Sequence, residues 1–345
     1  MSAPTEFTRV FLHERPETDF TPTTFKSERL SLETLKPGNG EILVKINWLS
    51  LDPAMRGYVK DQRSYLPPVK IGETMRGMCL GTVVEAGSES VFKKGDFVTG
   101  VFGWTEYAVA KDKEATKIQI PKGAQLIDFL GPLGTSGLTA YFGLKDIGHL
   151  KAGETLVVSG AAGSVGSIAC QLGKKAGARV IAIAGSADKC AFLEKELGVD
   201  VALNYKDSDF YQKVKKEVGY LDVYFDNVGG DMLDFMLTRL NKNARIVLCG
   251  AISDYNAAKP KGLSSYLTLI SQRAKIEGFI VLDYKEQWAS AIVEMSKWLE
   301  DGSLKRKFHI VEGLESAPSA LPMLFTGGNT GKLVVKVAEV PTAKL

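Results

Sequence analysis

Few of the residues that bind metals or cross-link chains are present: four cysteines and three histidines in 345 residues. Cys79, Cys170, Cys190 and Cys249 stand far apart, with no C-x-x-C pair and no zinc-ribbon spacing. That excludes a disulfide framework and predicts reduced thiols in apolar settings. His13, His149 and His309 are each solitary, without ligand spacing. No apolar run reaches membrane-spanning length, and MSAPTEFTRVFLHERP at the N-terminus lacks the basic-then-apolar design of a secretion signal. A net charge of +3 and the absence of a Lys/Arg block argue against nucleic acid or an anionic membrane as partner. The expectation is a soluble, cytoplasmic chain.

What is present is an ordinary globular composition, 45% hydrophobic and 24% charged, long enough for two domains. Segments 9–12 and 25–35 are strand-like. In Gly40–Ser50, Ile42, Val44 and Ile46 alternate with Glu41, Lys45 and Asn47, which predicts a strand with one face inward. Further short strands punctuated by glycine run to about residue 125 and predict a partly open β-barrel. After Pro121 the pattern changes to alternating strands and helices: strands at 155–159, 179–184, 201–203, 222–226, 244–249 and 275–281, with helices at 165–176, 187–197, 207–218 and 231–240. This rhythm predicts an α/β fold with a doubly wound parallel sheet. Segments 308–310 and 332–337 return to β pattern. The expected domains are 1–126 plus 308–345, and 127–307.

The stretch Glu154–Gly166, ETLVVSGAAGSVG, organises the second domain. An apolar strand ends in small residues, and a helical pattern starts at Ser167. Bare backbone before a helix N-terminus can receive a dinucleotide diphosphate on unsatisfied N–H groups. The glycine pattern is incomplete, with Ala161 at the first position and Gly163 and Gly166 at the others. A tight turn in any α/β sheet is the alternative reading. The next strand, Arg179–Ala184, ends in Gly185-Ser186 with no acid, and Lys189 follows. Lacking the carboxylate that takes ribose hydroxyls, this end suits a 2′-phosphate held by Ser186 and Lys189, and so favours NADPH. Alternatively, Ser186 is only a helix N-cap and Lys189 a solvated side chain.

With these residues in place, the chain resembles the medium-chain dehydrogenase/reductase superfamily. More narrowly it is similar to the zinc-independent branch of leukotriene B4 12-hydroxydehydrogenase/prostaglandin reductases and alkenal double-bond reductases. The resemblance rests on Leu51–Arg56 (LDPAMR), Gly134–Tyr141 (GTSGLTAY), Ala161–Gly166 (AAGSVG), Ala184–Lys189 (AGSADK), Tyr224–Gly230 (YFDNVGG), Cys249–Asn256 (CGAISDYN) and Gly327–Lys332 (GGNTGK). It implies a Rossmann domain inserted into a GroES-like barrel, with the active cleft between them. Where zinc-dependent relatives place ligands, this chain has Leu51-Asp52-Pro53 and Met75-Arg76-Gly77-Met78-Cys79. No catalytic or structural metal is expected.

The resemblance also implies site residues. Ser186, Lys189 and Gly185, with Tyr205, hold the 2′-phosphate end of the cofactor. Gly163, Ser164, Val165, Gly166, Asn227, Cys249, Ile252 and Ser253 line the diphosphate–ribose run. Pro53, Met55, Thr135, Phe279, Val281, Asn329 and Gly331 lie toward the nicotinamide. Tyr255 and Tyr65 are the expected catalytic hydroxyls, and Arg56 joins them at the substrate. Relatives commonly carry Tyr after Asp-Pro, where this chain has Ala54. The implied activity is NADPH-dependent reduction of the C=C bond of α,β-unsaturated aldehydes and ketones, by a homodimer. A quinone reductase, a secondary-alcohol dehydrogenase and a non-catalytic NADPH-binding protein remain the alternatives.

Overall fold

The structure, a computed structural model, describes residues 4–341. The chain divides into two compact units, 1–130 with 308–345, and 131–307.

In the first unit, β1 (Glu6–Leu12) and β2 (Phe25–Ser31) form an antiparallel pair. The main sheet is built from β3 (Glu41–Ser50), β4 (Cys79–Ala86), β5 (Phe97–Gly100), β6 (Tyr107–Lys111) and β7 (Ala115–Lys117), joined later by β14 (Phe308–Glu312) and β15 (Lys332–Lys336). Its order is β14-β15-β3-β4-β5-β7, with β6 on β3. Ile42, Val44 and Ile46 point into a core with Leu12, Trp104 and Leu333. The opposite face of β3 is covered as well. Asn47, expected outward, is fully buried; it accepts from the Thr82 hydroxyl at 2.8 Å and donates to the Glu339 carbonyl at 2.8 Å. Period-two alternation marks an inward face but does not reveal that a distant segment closes over the other. The turn Leu126–Leu130 packs Leu126, Ile127 and Leu130 with Leu80, Ile118 and Val334, so the first unit extends through residue 130.

The second unit is a six-stranded parallel sheet of β8 (Thr155–Val158), β9 (Arg179–Ala184), β10 (Val201–Asn204), β11 (Leu221–Asp226), β12 (Leu240–Leu248) and β13 (Lys275–Gly278). The order β10-β9-β8-β11-β12-β13 is the Rossmann arrangement. Strands buried on both faces read as continuous apolar runs, and β9, RVIAIA, is buried in all but its first residue. The expected strand 275–281 stops at Gly278, because Val281 instead packs with Leu138, Phe142 and Trp288. Among the described residues no helix is long and apolar enough to cross a membrane, and all four cysteines are free thiols.

One ion pair ties the start of β8 to β12. Arg245 pairs with Glu154 at 2.6 Å, and its guanidinium also donates to the carbonyls of Gly148 at 2.7 Å and His149 at 3.1 Å. Burial pushes the Glu154 carboxyl up, but the Arg245 bonds outweigh it and hold the group below the ordinary 4.5. A depressed carboxylate contributes stability that is full above that value and is lost as pH falls through the folded value. Glu154→Gln is therefore expected to cost about 2 kcal/mol at pH 7. The gap to the unsubstituted chain should close progressively below pH 4.5, as read by urea unfolding at several pH values.

Candidate active site

In an open parallel sheet, ligands bind beyond the carboxyl ends of the strands where the order reverses, here between β8 and β11. Buried Ser159 follows β8, and Gly160 turns the chain at φ +57°. A Cβ on Gly166 would lie 2.4 Å from the Gly160 carbonyl oxygen, so only glycine lets the helix Ser164–Lys175 start this close to the turn. No side chain caps that helix. The Ser164 Oγ is buried and has no hydrogen-bond partner among the described residues. Unsatisfied N–H groups and an open hydroxyl at a positive helix end form a diphosphate-shaped site.

The end of β9 is cationic. The Ser186 hydroxyl caps the following short helix by accepting from the Lys189 N–H at 3.3 Å. Tyr205, just beyond β10, packs on Gly185, where a Cβ would stand 2.8 Å from the ring. That contact brings Lys206, whose ammonium lies 5.9 Å from the Tyr205 ring centroid. Burial lowers the Lys189 pKa, and the charge of Lys206 lowers it further. The end of β9 therefore sets two lysines near one another, with the Ser186 hydroxyl on the Lys189 backbone. Lys206 is absent from the sequence reading because only the β9–β10 pairing sets it beside Lys189.

Near β11 and β12 the predicted residues form one bonded group. The Asn227 side-chain amide donates to the Ser159 carbonyl at 2.7 Å, and its backbone N–H donates to the Ser159 hydroxyl at 2.9 Å. Ile252 N–H donates to the Asn227 carbonyl at 3.2 Å. Ser253 donates to the Val228 carbonyl from both its N–H, at 3.0 Å, and its hydroxyl, at 2.6 Å. Tyr255 ends the turn Ile252–Tyr255, its hydroxyl 3.1 Å from where a Gly250 Cβ would stand. Cys249 lies at the same edge. Burial and the charge of Asp226 push its thiol up to about 12, so it is no nucleophile at neutral pH. Gly163 caps the diphosphate helix, and Val165 lies in its first turn. Thr135 opens the helix Thr135–Phe142, and Phe279 packs against Gly143 just beyond its end. Val281 is half-buried against Leu138 and Phe142, and its carbonyl accepts from the Trp288 indole at 3.2 Å.

In the first unit, Met55 is buried in the core beside the turn at Pro53. Arg56 is fully buried, donating to the carbonyls of Thr18, Pro16 and Glu17 at 3.0–3.1 Å. That guanidinium clamps the N-terminal loop. Tyr65 is 48% exposed, its hydroxyl 3.5 Å from that of Tyr58 and its ring edge-on to Tyr58. Arg76 stacks on Tyr58 at 5.2 Å and donates to the Pro67 carbonyl at 2.9 Å. Tyr58 is a second aromatic that the sequence reading passed over; its spacing of four from Ala54 was the available signal. The Asn329 amide donates to the Gly331 carbonyl at 2.9 Å, and Gly331 has φ +74°. Next to it, buried Lys332 pairs with Asp52 at 2.5 Å. Among the described residues no group of three or more His, Cys, Asp and Glu lies together as a metal-ligand set.

Residues 8–118 match the family model for the N-terminal domain of oxidoreductase, and residues 164–297 match that for zinc-binding dehydrogenase. The chain is 38% identical to the NADPH-dependent curcumin reductase of Escherichia coli over 96% of each chain. It is 36% identical to the NADP(+)-dependent 2-alkenal reductase of Nicotiana tabacum over 88% of this chain and 89% of that one. The crystal structure of CurA from Vibrio vulnificus in complex with NADPH superposes with a TM-score of 0.91 at 39% identity, covering 96% of this chain and 99% of that one. The chain belongs to the medium-chain dehydrogenase/reductase family, in the zinc-independent branch that includes the prostaglandin reductases and 2-alkenal reductases.

Proposed function

We propose that this chain is an NADPH-dependent reductase of the C=C bond of α,β-unsaturated aldehydes and ketones. The observation that carries the cofactor is the acid-free end of β9, where Ser186, Lys189 and Lys206 converge beside Tyr205. The relatives named for alkenals, for curcumin and for NADPH itself support the same reading.

Bound NADPH supplies a hydride to the β-carbon of the acceptor. The helix at Ser164 receives the diphosphate and Ser164 Oγ donates to it, while the β9 cations take the 2′-phosphate. Asn227, Ile252 and Ser253 fix the run between them. Charge then develops on the carbonyl oxygen of the acceptor, where a preorganised donor has its largest effect. Tyr255 is that donor, since a phenol O–H is neutral at pH 7. The α-carbon takes its proton from solvent.

The edge of the Rossmann unit supports a homodimer. Among the described residues β13 pairs only with β12, and Tyr266, Leu267 and Ile270 are exposed in the segment leading into it. An unpaired strand edge with apolar neighbours is a template for a second copy.

A screen of NADPH oxidation over enals, enones and quinones, with products identified, tests the activity. Saturated carbonyl products are expected; allylic alcohols, or turnover confined to quinones, would overturn it. Tyr255→Phe should lower kcat about tenfold, and undiminished turnover of a short enone removes Tyr255 from the mechanism. Lys189→Ala and Lys206→Ala should each raise KM for NADPH by about tenfold, leaving NADH unaffected. Light scattering at micromolar concentration should give twice the chain mass of 37.4 kDa; a monomer there refutes the edge pairing.

A further inference from the structure

Asp226 is fully buried at the switch point, yet the proposed chemistry does not use it. Its carboxylate accepts from the Ser159 hydroxyl at 2.7 Å, the Val228 N–H at 3.0 Å, and the Gly229 N–H at 3.1 Å to each oxygen. All are neutral donors. A buried carboxylate without a cation is costly and persists only where hydrogen bonds satisfy it. Burial accordingly pushes its carboxyl up, and these bonds pull it partly back.

Each donor belongs to a segment that the proposed site depends on. The Ser159 hydroxyl is given to Asp226, so its lone pairs are left to accept the Asn227 N–H, which sets that residue. The bonds to Val228 and Gly229 fold the turn 226–230, where Gly229 takes φ +73° against Ala251. The Asp226 carbonyl accepts from both Cys249 N–H at 2.9 Å and Gly250 N–H at 3.0 Å, which starts the segment that carries Tyr255. β8, β11 and the segment after β12 therefore meet on this one residue.

We infer that Asp226 is a positioning residue: through Ser159 and the turn 226–230 it sets Asn227 and the Tyr255 segment for hydride transfer. This rests on the proposed NADPH-dependent reaction. It requires an acceptor with lone pairs toward all its donors, which a carboxylate supplies and an amide supplies only in part.

The test compares Asp226→Asn and Ser159→Ala with the unsubstituted chain by thermal melting, NADPH affinity from fluorescence, kcat, and the isotope effect with NADPH deuterated at nicotinamide C4. Asp226→Asn should lower kcat at least tenfold and raise the isotope effect on kcat, because hydride transfer becomes limiting. The double variant should be no slower than Asp226→Asn alone. A lowered melting temperature with kcat and the isotope effect unchanged would make the role purely structural and overturn the inference. If Asp226→Asn does not fold, Ser159→Ala decides: a threefold or larger fall in kcat with a raised isotope effect supports it, and unchanged values overturn it. Should the unsubstituted chain bind NADPH but reduce no enone, the reaction reading fails by itself. Asp226→Asn should then still weaken NADPH binding at least fivefold, and unchanged affinity would sink the inference too.

Discussion

The second unit depends on how closely a helix can approach the turn that precedes it. With Gly160 in the left-handed region and no Cβ at Gly166, backbone packs on backbone at the end of β8. A side chain there would push the helix away and fill the space in front of its first N–H groups. The same economy of small residues recurs where Gly173 lies against Leu156 and Val180. The diphosphate-shaped site is thus the by-product of a packing requirement: a sheet covered this tightly leaves one helix end open and positive.

Charge is placed by the same logic in both units. At the end of β9, Lys189 is half-buried and feels the charge of Lys206, and both effects lower its pKa. In the barrel unit Lys332 pairs with Asp52, and buried Arg56 donates to three carbonyls of the N-terminal loop.

Much was legible from residue order alone. Apolar β-branched runs bounded by glycine identify parallel strands, because burial on both faces demands them. The acid-free end of β9 is likewise visible in the order Ala184-Gly185-Ser186. The strand–turn–helix at 155–166 shows in the same way, since a backbone constraint is written in the residues that obey it. Motif resemblance then supplied Tyr255, Asn227 and Cys249, which the structure brings to one sheet edge.

What residue order left undecided involved partners distant in the chain. Asn47 alternates as a surface residue yet is buried, because segment 337–339 returns to cover it. Arg56, beside an expected cofactor turn, is turned inward by the carbonyls of residues 16–18. Lys206 joins Lys189 only through the pairing of β9 with β10, and Asp226 becomes a hub only when β8 and the segment after β12 converge on it. Sequence by itself determined which stretches would be strand, turn and helix, because those are local properties of the backbone. Tertiary structure alone decided which polar groups were spent on one another and which were left for a ligand, because hydrogen bonds are satisfied in space and not along the chain.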